Sequence, residues 1–378
     1  MYQVIDEHLI EEDPIAGLAE EAVSLLKQLI ETPSFSEGED GTANLIITFL
    51  ANRGIGCKRH HNNVWAYNKF YKADKPTILL NSHHDTVQPN VGYTRDPFDA
   101  EIVSDKLYGL GSNDAGGSLV SLLAVFCFFY NRTDLAYNLC FLASAEEESS
   151  GKNGISSILH ELGKIDFAIV GEPTKMDMAT AEMGCMVLDC TAYGVAGHSA
   201  RNEGVNALYK ALSDIQWFST YNFPKQSGFM GPIKMTVTGI NAGLQHNIIP
   251  NECQFMVDVR LSDCFTVEEI LAMISQHTTS EIKVRPGILK PTCIDHIHPV
   301  VRTGLSIGRK TFVSPTSSDR GWLDVPSIKM GPGDSARSHM ADEFIFIEEI
   351  SEGILIYIRL LKSMMYCLIN NPDNQNRT

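Results

Sequence analysis

The spacing of apolar residues predicts alternating helices and strands in the first part of the chain. Apolar positions recur at helical spacing over residues 15–31, and residues 32–55 combine a polar loop with a second amphipathic helix. Short apolar runs bounded by turn residues predict strands at 77–81, 138–144 and 166–170. A longer apolar segment, which begins near Ala115, predicts a buried helix. Strands that alternate with helices indicate an α/β domain with a largely parallel sheet.

The pattern changes near residue 183. Alternating apolar and polar residues predict strands at GCMVLDCTAYGVA, IKMTVTGINAG and CQFMVDVRL, and helical spacing predicts helices at GVNALYKALSDIQWF and TVEEILAMISQH. This β-α-β-β-α-β order is that of an open-faced, ferredoxin-like α+β sandwich. Beyond residue 293 the strand–helix alternation resumes. We therefore predict an α/β domain built from residues 1–182 and 294–378, interrupted by an inserted α+β domain at 183–293.

The composition of the chain argues against two classes of binding partner and indicates where the protein is located. The 378 residues carry a formal net charge of −16, from 30 Lys and Arg against 46 Asp and Glu. This balance argues against nucleic acid or an anionic membrane as partner, because no basic surface would release counterions. The N-terminal residues show no signal peptide, and the most apolar stretch, 118–130, is too short to span a bilayer. The nine cysteines form no CxxC pair and read as reduced thiols, so we expect a cytoplasmic protein.

Acidic and imidazole side chains lie just after the ends of successive strands, and one further acid lies in the Gly-rich turn that leads into the apolar helix. In chain order these residues are His83, His84, Asp85, Asp114, the glutamates at 146–148, Glu172 and His339. Open α/β sheets bind their ligands beyond the carboxyl ends of the strands, so we expect these groups to lie together.

Such a cluster of carboxylates would repel itself strongly unless cations neutralised it. Carboxylate and imidazole ligands without cysteine suit catalytic Zn²⁺, with Co²⁺ or Mn²⁺ as alternatives. Two ions about 3.5–4 Å apart can polarise a carbonyl and also generate a hydroxide nucleophile. The sequence thus predicts a site for two divalent metal ions.

These motifs, taken in order, resemble the zinc-dependent family of aminoacylases, acetylornithine deacetylases and succinyl-diaminopimelate desuccinylases over nearly the whole chain. The family's His-x-Asp motif is similar to His83-His84-Asp85, and its GEPT motif stands at 171–174. The resemblance implies a phosphorylase/hydrolase-like αβα catalytic domain with an inserted lid and dimerisation domain. It also implies a metal-dependent amidohydrolase that works as a homodimer.

The resemblance assigns a role to the residues of the cluster. It implies that His83 binds one metal ion, that Asp85 orients the His83 ring, and that His84 is an intervening residue. It implies that Asp114 bridges the two ions, and the family usually has a cis peptide bond after this aspartate. The residues that complete the two ligand sets, one for each ion, are Glu172 and His339.

The three glutamates leave two assignments open, because the family has a general base followed directly by a metal ligand. Alignment on the downstream glycine makes Glu147 the base and Glu148 the ligand, which is the assignment we prefer. Alignment with members that have shorter loops makes Glu146 the base and Glu147 the ligand. Glu147 is functional in both assignments.

The resemblance extends to the inserted domain, which in the family contributes to the active site across a dimer. His198 in GVAGHSAR stands where the family has a histidine that helps to stabilise the oxyanion. Asn247 and Arg260 stand where relatives hold the substrate carboxylate, a task that suits a guanidinium. Gly333, in the later GPG motif, is similar to the family's glycine turn near the substrate.

We expect a hydrolase that removes the N-acyl group of an N-acyl amino acid. The motifs look most like the acylornithine deacetylases of arginine biosynthesis, which implies N-acetyl- or N-succinyl-L-ornithine as substrate. Succinyl-diaminopimelate, N-acetylcitrulline and free dipeptides are alternative substrates. A non-catalytic binding module is a further alternative, disfavoured because every ligand and base position is filled.

Overall fold

The computed structural model describes residues 12–201 and 203–369, which contain seven α-helices and eighteen strands. The helices are α1 Glu12–Ile30, α2 Asp40–Ala51, α3 Gly117–Phe129, α4 Ala207–Thr220, α5 Val267–His277, α6 Pro299–Ser306 and α7 Ile347–Ile369. The strands are β1 Lys58–His60, β2 Asn63–Tyr67, β3 Thr77–His83, β4 Ile102–Val103, β5 Lys106–Tyr108, β6 Asn138–Ser144, β7 Phe167–Val170, β8 Met178–Glu182, β9 Gly184–Tyr193, β10 Gly197–His198, β11 Lys234–Ala242, β12 Ile248–Ile249, β13 Glu252–Leu261, β14 Glu281–Val284, β15 Thr292–Cys293, β16 Thr311–Ser314, β17 Ser327–Lys329 and β18 Phe344–Phe346. Residues 1–11, part of the stretch considered for a signal peptide, lie outside the described residues.

The chain divides into two compact units. The larger unit runs to Thr180 and includes Cys293–Phe312 and the residues from Ser318 on. The smaller unit is Ala181–Thr292 with Val313–Ser317. The sequence-based division at 183–293 leaves residues 313–317 outside the inserted domain, whereas the contacts of these residues place them in the smaller unit. The lid and dimerisation roles of the smaller unit stay predictions.

A mixed sheet forms the centre of the larger unit. Its strands follow the order β1-β2-β6-β3-β7-β17-β8-β15, with β16 paired to β8. Strands β6, β3, β7 and β17 are parallel to their neighbours in this series, whereas β1, β2 and β8 join antiparallel. His83 pairs with Ser144, and Asn81 pairs with Val170, so these parallel strands end close together at one edge. The parallel centre confirms the predicted α/β class.

The central strands are apolar because both faces of the sheet are covered. Every residue of β3 and β6 is buried, as expected for strands inside a parallel sheet. Ile78 and Phe141 belong to a core that includes residues of α1, α3 and α7. Leu79 and Leu142 belong to a separate core with residues of short helical turns at 155–161. Alternate residues of one strand therefore face opposite cores.

The apolar segment that the sequence predicts as a buried helix is α3. Its side chains are apolar on nearly all sides, and most of them are buried. Within the described residues, the window Ser112–Phe129 begins before the predicted stretch 118–130 and is, unlike that stretch, long and apolar enough to cross a bilayer, but 83% of it is buried inside the protein. The turn before α3 contacts β3, so the helix begins near the edge where the parallel strands end.

The smaller unit contains a four-stranded antiparallel sheet and two helices. Its strands lie in the order β11-β13-β9-β14, and the chain passes through β9, α4, β11, β13, α5 and β14. This is the predicted ferredoxin-like order. Thr266 begins α5 with a reciprocal capping box to Glu269. Phe218 of α4 and Ile270 of α5 pack with Leu188 of the sheet in the core of this unit.

Candidate metal centre

Parallel strands place the candidate ligands at one edge of the sheet. His83 is the last residue of β3, the glutamates 146–148 follow β6, and Glu172 follows β7. The segment after β17 leads to His339. Because β6, β3, β7 and β17 are parallel neighbours, the residues that follow them emerge on the same side.

Asp114 is presented by a tight turn at Ser112–Gly116, directly before α3. Its backbone is extended, with φ −119° and ψ 99°, and its peptide bond to Ala115 is cis, as the family resemblance implies. The buried carboxylate of Glu343 accepts three backbone N–H groups from this region of the chain. The N–H groups belong to Gly111, Asn113 and Asp114, with N···O distances of 3.0, 2.8 and 2.9 Å. Glu343 therefore holds the turn that carries Asp114.

His83, Asp114 and Glu172 form what we call the first ligand group. Nε2 of His83 lies 3.3 Å from Oδ1 of Asp114 and 3.7 Å from Oε1 of Glu172. One potential ligand atom from each residue lies within 4.8 Å of the other two. The His83 side chain is 1% exposed, so strand β3 and its neighbours fix the position of this imidazole.

Asp114, Glu148 and His339 form the second ligand group. Nε2 of His339 lies 3.1 Å from Oε2 of Glu148 and 3.8 Å from Oδ2 of Asp114. The ligand atoms again lie within 4.8 Å of one another. Since Oδ1 of Asp114 faces His83 and Oδ2 faces His339, the Asp114 carboxylate is shared by the two groups.

Glu147 lies beside the first ligand group but belongs to neither group. Its Oε2 is 3.9 Å from Nε2 of His83, and its side chain is largely buried. Glu146 directs its carboxylate elsewhere, because this carboxylate accepts the backbone N–H and the side-chain amide of Asn153 at 3.0 and 2.8 Å. Among the three consecutive glutamates, the structure therefore brings Glu147 and Glu148 to the cluster and ties Glu146 to its own loop.

The Asp85 carboxylate contacts both the imidazole and the glutamate loop. Its Oδ1 lies 3.4 Å from Nδ1 of His83, whereas the Asp85 backbone carbonyl lies 3.0 Å from the same nitrogen. The carboxylate also accepts the backbone N–H groups of Glu147 and Glu148 at 3.0 and 3.1 Å, and the Ser36 hydroxyl at 2.7 Å. Asp85 is thus placed to position the glutamate loop as well as the His83 ring.

His84 uses both ring nitrogens outside the cluster. Its Nδ1 lies 2.8 Å from the hydroxyl of Thr42, and its Nε2 lies 2.9 Å from the backbone carbonyl of Asn62. Burial lowers the pKa of His84 to about 4, so the ring is neutral at physiological pH. This geometry agrees with its expected place as an intervening residue.

Burial and crowding shift the pKa values of the carboxyl groups in the cluster. Burial, together with Asp114, raises the pKa of Glu172 to about 8. Burial also raises the pKa of Glu147 well above its usual range, with Glu172 and Glu148 adding to the shift. Burial would raise the pKa of Asp114 too, but the hydrogen bond to His83 and the His83 charge lower it to about 2. The cluster therefore contains more carboxyl groups than its surroundings can readily accommodate as anions.

The two imidazoles respond to this excess of carboxylate. Burial alone would lower the pKa of His83, but Glu147 and the hydrogen bond to Asp114 raise it well above its usual value. The hydrogen bond to Glu148 raises the pKa of His339 to about 9. A pocket of this kind favours added positive charge, and its nitrogen and oxygen donors without thiolate fit divalent Zn²⁺, Co²⁺ or Mn²⁺.

The sequence of this region matches a known protein family. Residues 79–363 match "Peptidase family M20/M25/M40", a span that includes both ligand groups. The chain belongs to this peptidase family. It is therefore a metal-dependent hydrolase of linear amides, as the sequence predicts.

Two curated relatives of this M20-family chain are succinyl-diaminopimelate desuccinylases. The enzyme from Psychromonas ingrahamii is 26% identical over 381 residues, covering 91% of this chain and 98% of the relative. The enzyme from Orientia tsutsugamushi is 28% identical over 389 residues, covering 94% and 98%.

Solved structures share the fold. An M20-family metallo-carboxypeptidase from Sulfolobus solfataricus has a TM-score of 0.74 at 18% identity and covers 93% of this chain and 99% of its own. The dipeptidase Dug1p from Saccharomyces cerevisiae has a TM-score of 0.73 at 13% identity and covers 94% and 98%. The YXEP protein of Bacillus subtilis, a dinuclear metal binding peptidase of the M20 family, has a TM-score of 0.66 at 15% identity and covers 93% and 99%. These likenesses confirm the predicted αβα catalytic domain with an inserted α+β domain.

Three of the predicted site residues of this M20-family chain lie in the smaller unit. His198 belongs to β10, which pairs with β12, and Asn247 directly precedes β12, so these two residues are neighbours. Arg260 lies near the end of β13, where its Nε and Nη2 donate to the Asp258 carboxylate at 2.8 and 3.0 Å. Both ligand groups are built from residues of the larger unit. The substrate roles of His198, Asn247 and Arg260 stay predictions.

Gly333 lies in the larger unit beside the turn that carries Asp114. Its φ is +89°, a conformation that favours glycine, and a Cβ atom there would come within 2.5 Å of Oδ1 of Asn113. The Asn113 side chain in turn exchanges hydrogen bonds with the backbone of Asp334, at 3.0 and 3.1 Å. Gly333 therefore permits a close contact between two loops of the site, and its role in substrate binding stays a prediction.

Sequence reasoning missed two buried acids next to the cluster. Burial and the charge of Asp114 raise the pKa of Glu343, which holds the Asp114 turn, to about 8. Asp319 accepts the Asn81 amide at 2.8 Å and the Ser144 hydroxyl at 2.5 Å, which links β3 to β6. The partners of Asp319 are 238 and 175 residues away along the chain, so no local motif marks this acid. The sequence feature that could have pointed to Glu343 is its position shortly after His339.

Proposed function

We propose that this M20-family protein uses two divalent metal ions to remove the N-acyl group of an N-acyl amino acid. The observation that carries the proposal is the Asp114 carboxylate shared by two ligand groups, with Glu147 beside them and part of neither. Zn²⁺ is the ion we prefer, with Co²⁺ and Mn²⁺ as alternatives, because the ligand atoms are imidazole nitrogens and carboxylate oxygens.

The first ligand group would hold one ion and the second ligand group the other, with Asp114 bridging them. Both ions together would polarise the scissile carbonyl and lower the pKa of a nucleophilic water. Two contacts support Glu148, rather than Glu147, as the ligand of the second group. Glu148 lies 3.1 Å from His339, and Glu146 is engaged by Asn153 instead of standing as the base.

Glu147 is the proposed proton carrier. It would accept a proton from the attacking water as general base and deliver that proton to the leaving amine as general acid. Asp85 supports this role because it holds the backbone N–H of Glu147 at 3.0 Å. That hydrogen bond holds the backbone of Glu147, whose carboxylate lies 3.9 Å from Nε2 of His83.

His198 is the proposed donor to the oxyanion. Its Nδ1 accepts the backbone N–H of Ala200 at 3.1 Å, so the neutral ring carries its proton on Nε2. The ring is exposed, as a group that serves another subunit must be. We therefore propose a homodimer in which the smaller unit of each copy supplies His198 to the other copy's metal centre.

A subunit-mixing experiment tests the shared site. His198→Ala and Glu147→Gln homodimers should each be nearly inactive, and unfolding and refolding them together should restore partial activity. Restoration is expected because one site of the mixed dimer then contains both Glu147 and His198. Two inactive variants that stay inactive after mixing, despite confirmed heterodimers, would contradict the shared site.

The substrate proposed from the family motifs is N-acetyl- or N-succinyl-L-ornithine, which would place the enzyme in arginine biosynthesis. The names of the curated relatives support N-succinyl-diaminopimelate as the second candidate. Arg260 suits the carboxylate of either substrate because a guanidinium has more N–H groups than its three hydrogen bonds to Asp258 and Ser317 use. Its Nε and Nη2 donate to Asp258, and its Nη1 donates to the Ser317 hydroxyl at 3.4 Å. The eight cysteines from Cys57 to Cys293 are free thiols, which supports a reducing, cytoplasmic location.

A hydrolysis panel tests the proposed function. The metal-loaded protein is assayed against N-acetyl- and N-succinyl-ornithine, N-acetylcitrulline, N-succinyl-diaminopimelate and a set of dipeptides, with the Glu147→Gln variant as the blank. Release of the free amino acid from one N-acyl compound, with little turnover of dipeptides, is the expected result. Turnover of dipeptides alone would overturn the deacylase proposal in favour of a peptidase.

A further inference from the structure

The two ligand groups differ in how the chain holds their histidines. His83 is a residue of β3 and is almost fully buried, so the sheet itself holds the ring. His339 stands in a loop after β17, and its side chain is 54% exposed. Its backbone has a φ of 59°, a left-handed conformation that is unfavourable for a residue with a Cβ atom and persists only where neighbouring contacts hold it.

Two side chains hold this loop. Nδ2 of Asn90 donates to the backbone carbonyl of His339 at 3.1 Å. The Asp342 carboxylate accepts the backbone N–H groups of Thr94 and Arg95 at 2.9 and 3.0 Å, and the Thr94 hydroxyl at 2.5 Å. These contacts join residues 90–95 to residues 339–342, and we call the two segments together the His339 clasp.

The two segments of the His339 clasp are also closely packed against each other. A Cβ atom at Gly92 would lie 3.3 Å from Cβ of Ala341 and 3.1 Å from Oδ1 of Asn90. Asp342 itself has a φ of 53°, so a second residue of the loop is held in the left-handed region. Glu343, the next residue, holds the Asp114 turn. The segment 339–343 thus carries the candidate ligand His339 and ends with Glu343, which positions a second candidate ligand, Asp114.

We propose that Asp342 and Asn90 are positioning residues that fix His339 and thereby set the affinity of the second ligand group for its metal ion. The inference rests on the proposed dinuclear site. Without the clasp, the His339 backbone can leave its left-handed conformation, and the second ligand group loses a preorganised ligand. The first ligand group contains no residue of the clasp, so the two ions should respond differently.

The experiment is a metal titration of the full chain. Chelator-treated wild-type protein, Asp342→Ala and Asn90→Ala are titrated with Zn²⁺ by calorimetry and by competition with a chromophoric chelator. The absorption spectrum of Co²⁺-loaded protein gives a second reading of ligand geometry. Asp295→Ala is the matched control, because Asp295 accepts the backbone N–H of Ile297 at 2.9 Å in an exposed turn that contains no residue of the clasp.

We expect one of the two binding events to weaken by about 10–100-fold in Asp342→Ala, and in the same direction in Asn90→Ala, while the other event keeps its affinity. Asp295→Ala should match the wild type. If Asp342→Ala fails to fold, Asn90→Ala, which removes a single exposed side chain, decides the matter. Unchanged affinities, or equal weakening of both events, would overturn this inference alone. Wild-type protein that binds fewer than two ions would overturn the dinuclear proposal and this inference with it.

Discussion

The carboxylate of Asp85 accepts a hydrogen bond from the backbone N–H of Glu147, with 3.0 Å between Oδ1 and N. The same carboxylate holds the N–H of Glu148 at 3.1 Å and lies 3.4 Å from Nδ1 of His83. One buried acid thus connects the first histidine of the site to the loop that carries the proposed base and a proposed ligand. A substitution at this position should disturb metal binding and proton transfer together.

We expect Asp85→Ala to lower metal affinity and kcat by about 10–100-fold each, because the glutamate loop loses its backbone acceptor. Chelator competition and steady-state kinetics measure the two effects. Asp166→Ala is the matched control, since Asp166 accepts the backbone N–H of Thr77 at 2.9 Å at the opposite end of β3. Wild-type kinetics in Asp85→Ala would show that the carboxylate has no positioning role.

The proposed assignment of the glutamates predicts opposite effects at neighbouring positions. Glu147→Gln should lower kcat by about 10²–10⁴-fold through the loss of the proton carrier, while metal content stays at two ions. Glu146→Gln should mainly lower the melting temperature, because Glu146 holds the loop through Asn153. Kinetics and elemental analysis of the two purified variants make the comparison. A larger loss of kcat in Glu146→Gln than in Glu147→Gln would reverse the assignment.

Substitutions of the adjacent histidines His83 and His84 should have different effects. His83→Ala removes an imidazole of the first ligand group, so we expect loss of metal and of activity. His84→Ala removes hydrogen bonds to Thr42 and to the Asn62 carbonyl, so we expect the free energy of unfolding to fall by about 1–3 kcal/mol with metal content retained. Urea unfolding and elemental analysis of both variants test this division. Equal metal loss in the two variants would contradict it.

The sheet and most of the candidate cluster could be predicted from the sequence because their signals are local. The apolar runs at β3 and β6 fill strands buried on both faces, and parallel strands that end at one edge bring the following side chains together. The position of Asp114 in the Gly-rich turn before an apolar helix marked it as a candidate ligand, and the family resemblance implied that its carboxylate is shared.

The supporting residues could not be predicted because their partners are distant along the chain and often backbone atoms. Glu343 accepts hydrogen bonds from N–H groups of the Asp114 turn, which lies more than 220 residues earlier in the chain. The sequence alone does not distinguish this glutamate from other acidic residues. The separation of Glu146 from its two neighbours depends on a φ of 53° at Glu146 and on its contact with Asn153. The sequence shows neither feature, because the three consecutive residues are all glutamate.

Metal removal should make stability depend on pH. Burial raises the folded-state pKa of Glu172 from 4.5 to about 8, and the hydrogen bond to Glu148 raises that of His339 from 6.5 to about 9. In both cases the folded protein holds a proton that the unfolded chain releases at lower pH, so stability falls as the pH rises through this window. The pKa of Asp114, lowered to about 2, changes stability only below about pH 4. The lowered pKa of His84 opposes the trend below about pH 6.5, but Glu172 and Glu343, both raised to about 8, outweigh this single group.

We therefore expect the melting temperature of the chelator-treated protein to fall between about pH 5 and pH 9. Bound ions require deprotonated carboxylates, so the increase in melting temperature on adding Zn²⁺ should be larger at pH 8 than at pH 5.5. Calorimetric scans with chelator and with Zn²⁺ across this range give both quantities. A metal-free melting temperature that rises from pH 5 to pH 9 would be inconsistent with the raised pKa values.

The central claim is that two ions share the Asp114 carboxylate, and anomalous diffraction at the zinc absorption edge tests it most directly. Crystals of the Zn²⁺-loaded protein should give two anomalous peaks about 3.5–4 Å apart. One peak should lie among His83, Asp114 and Glu172, and the other among Asp114, Glu148 and His339. A single peak at full zinc occupancy, or a second peak away from Asp114, would contradict the account.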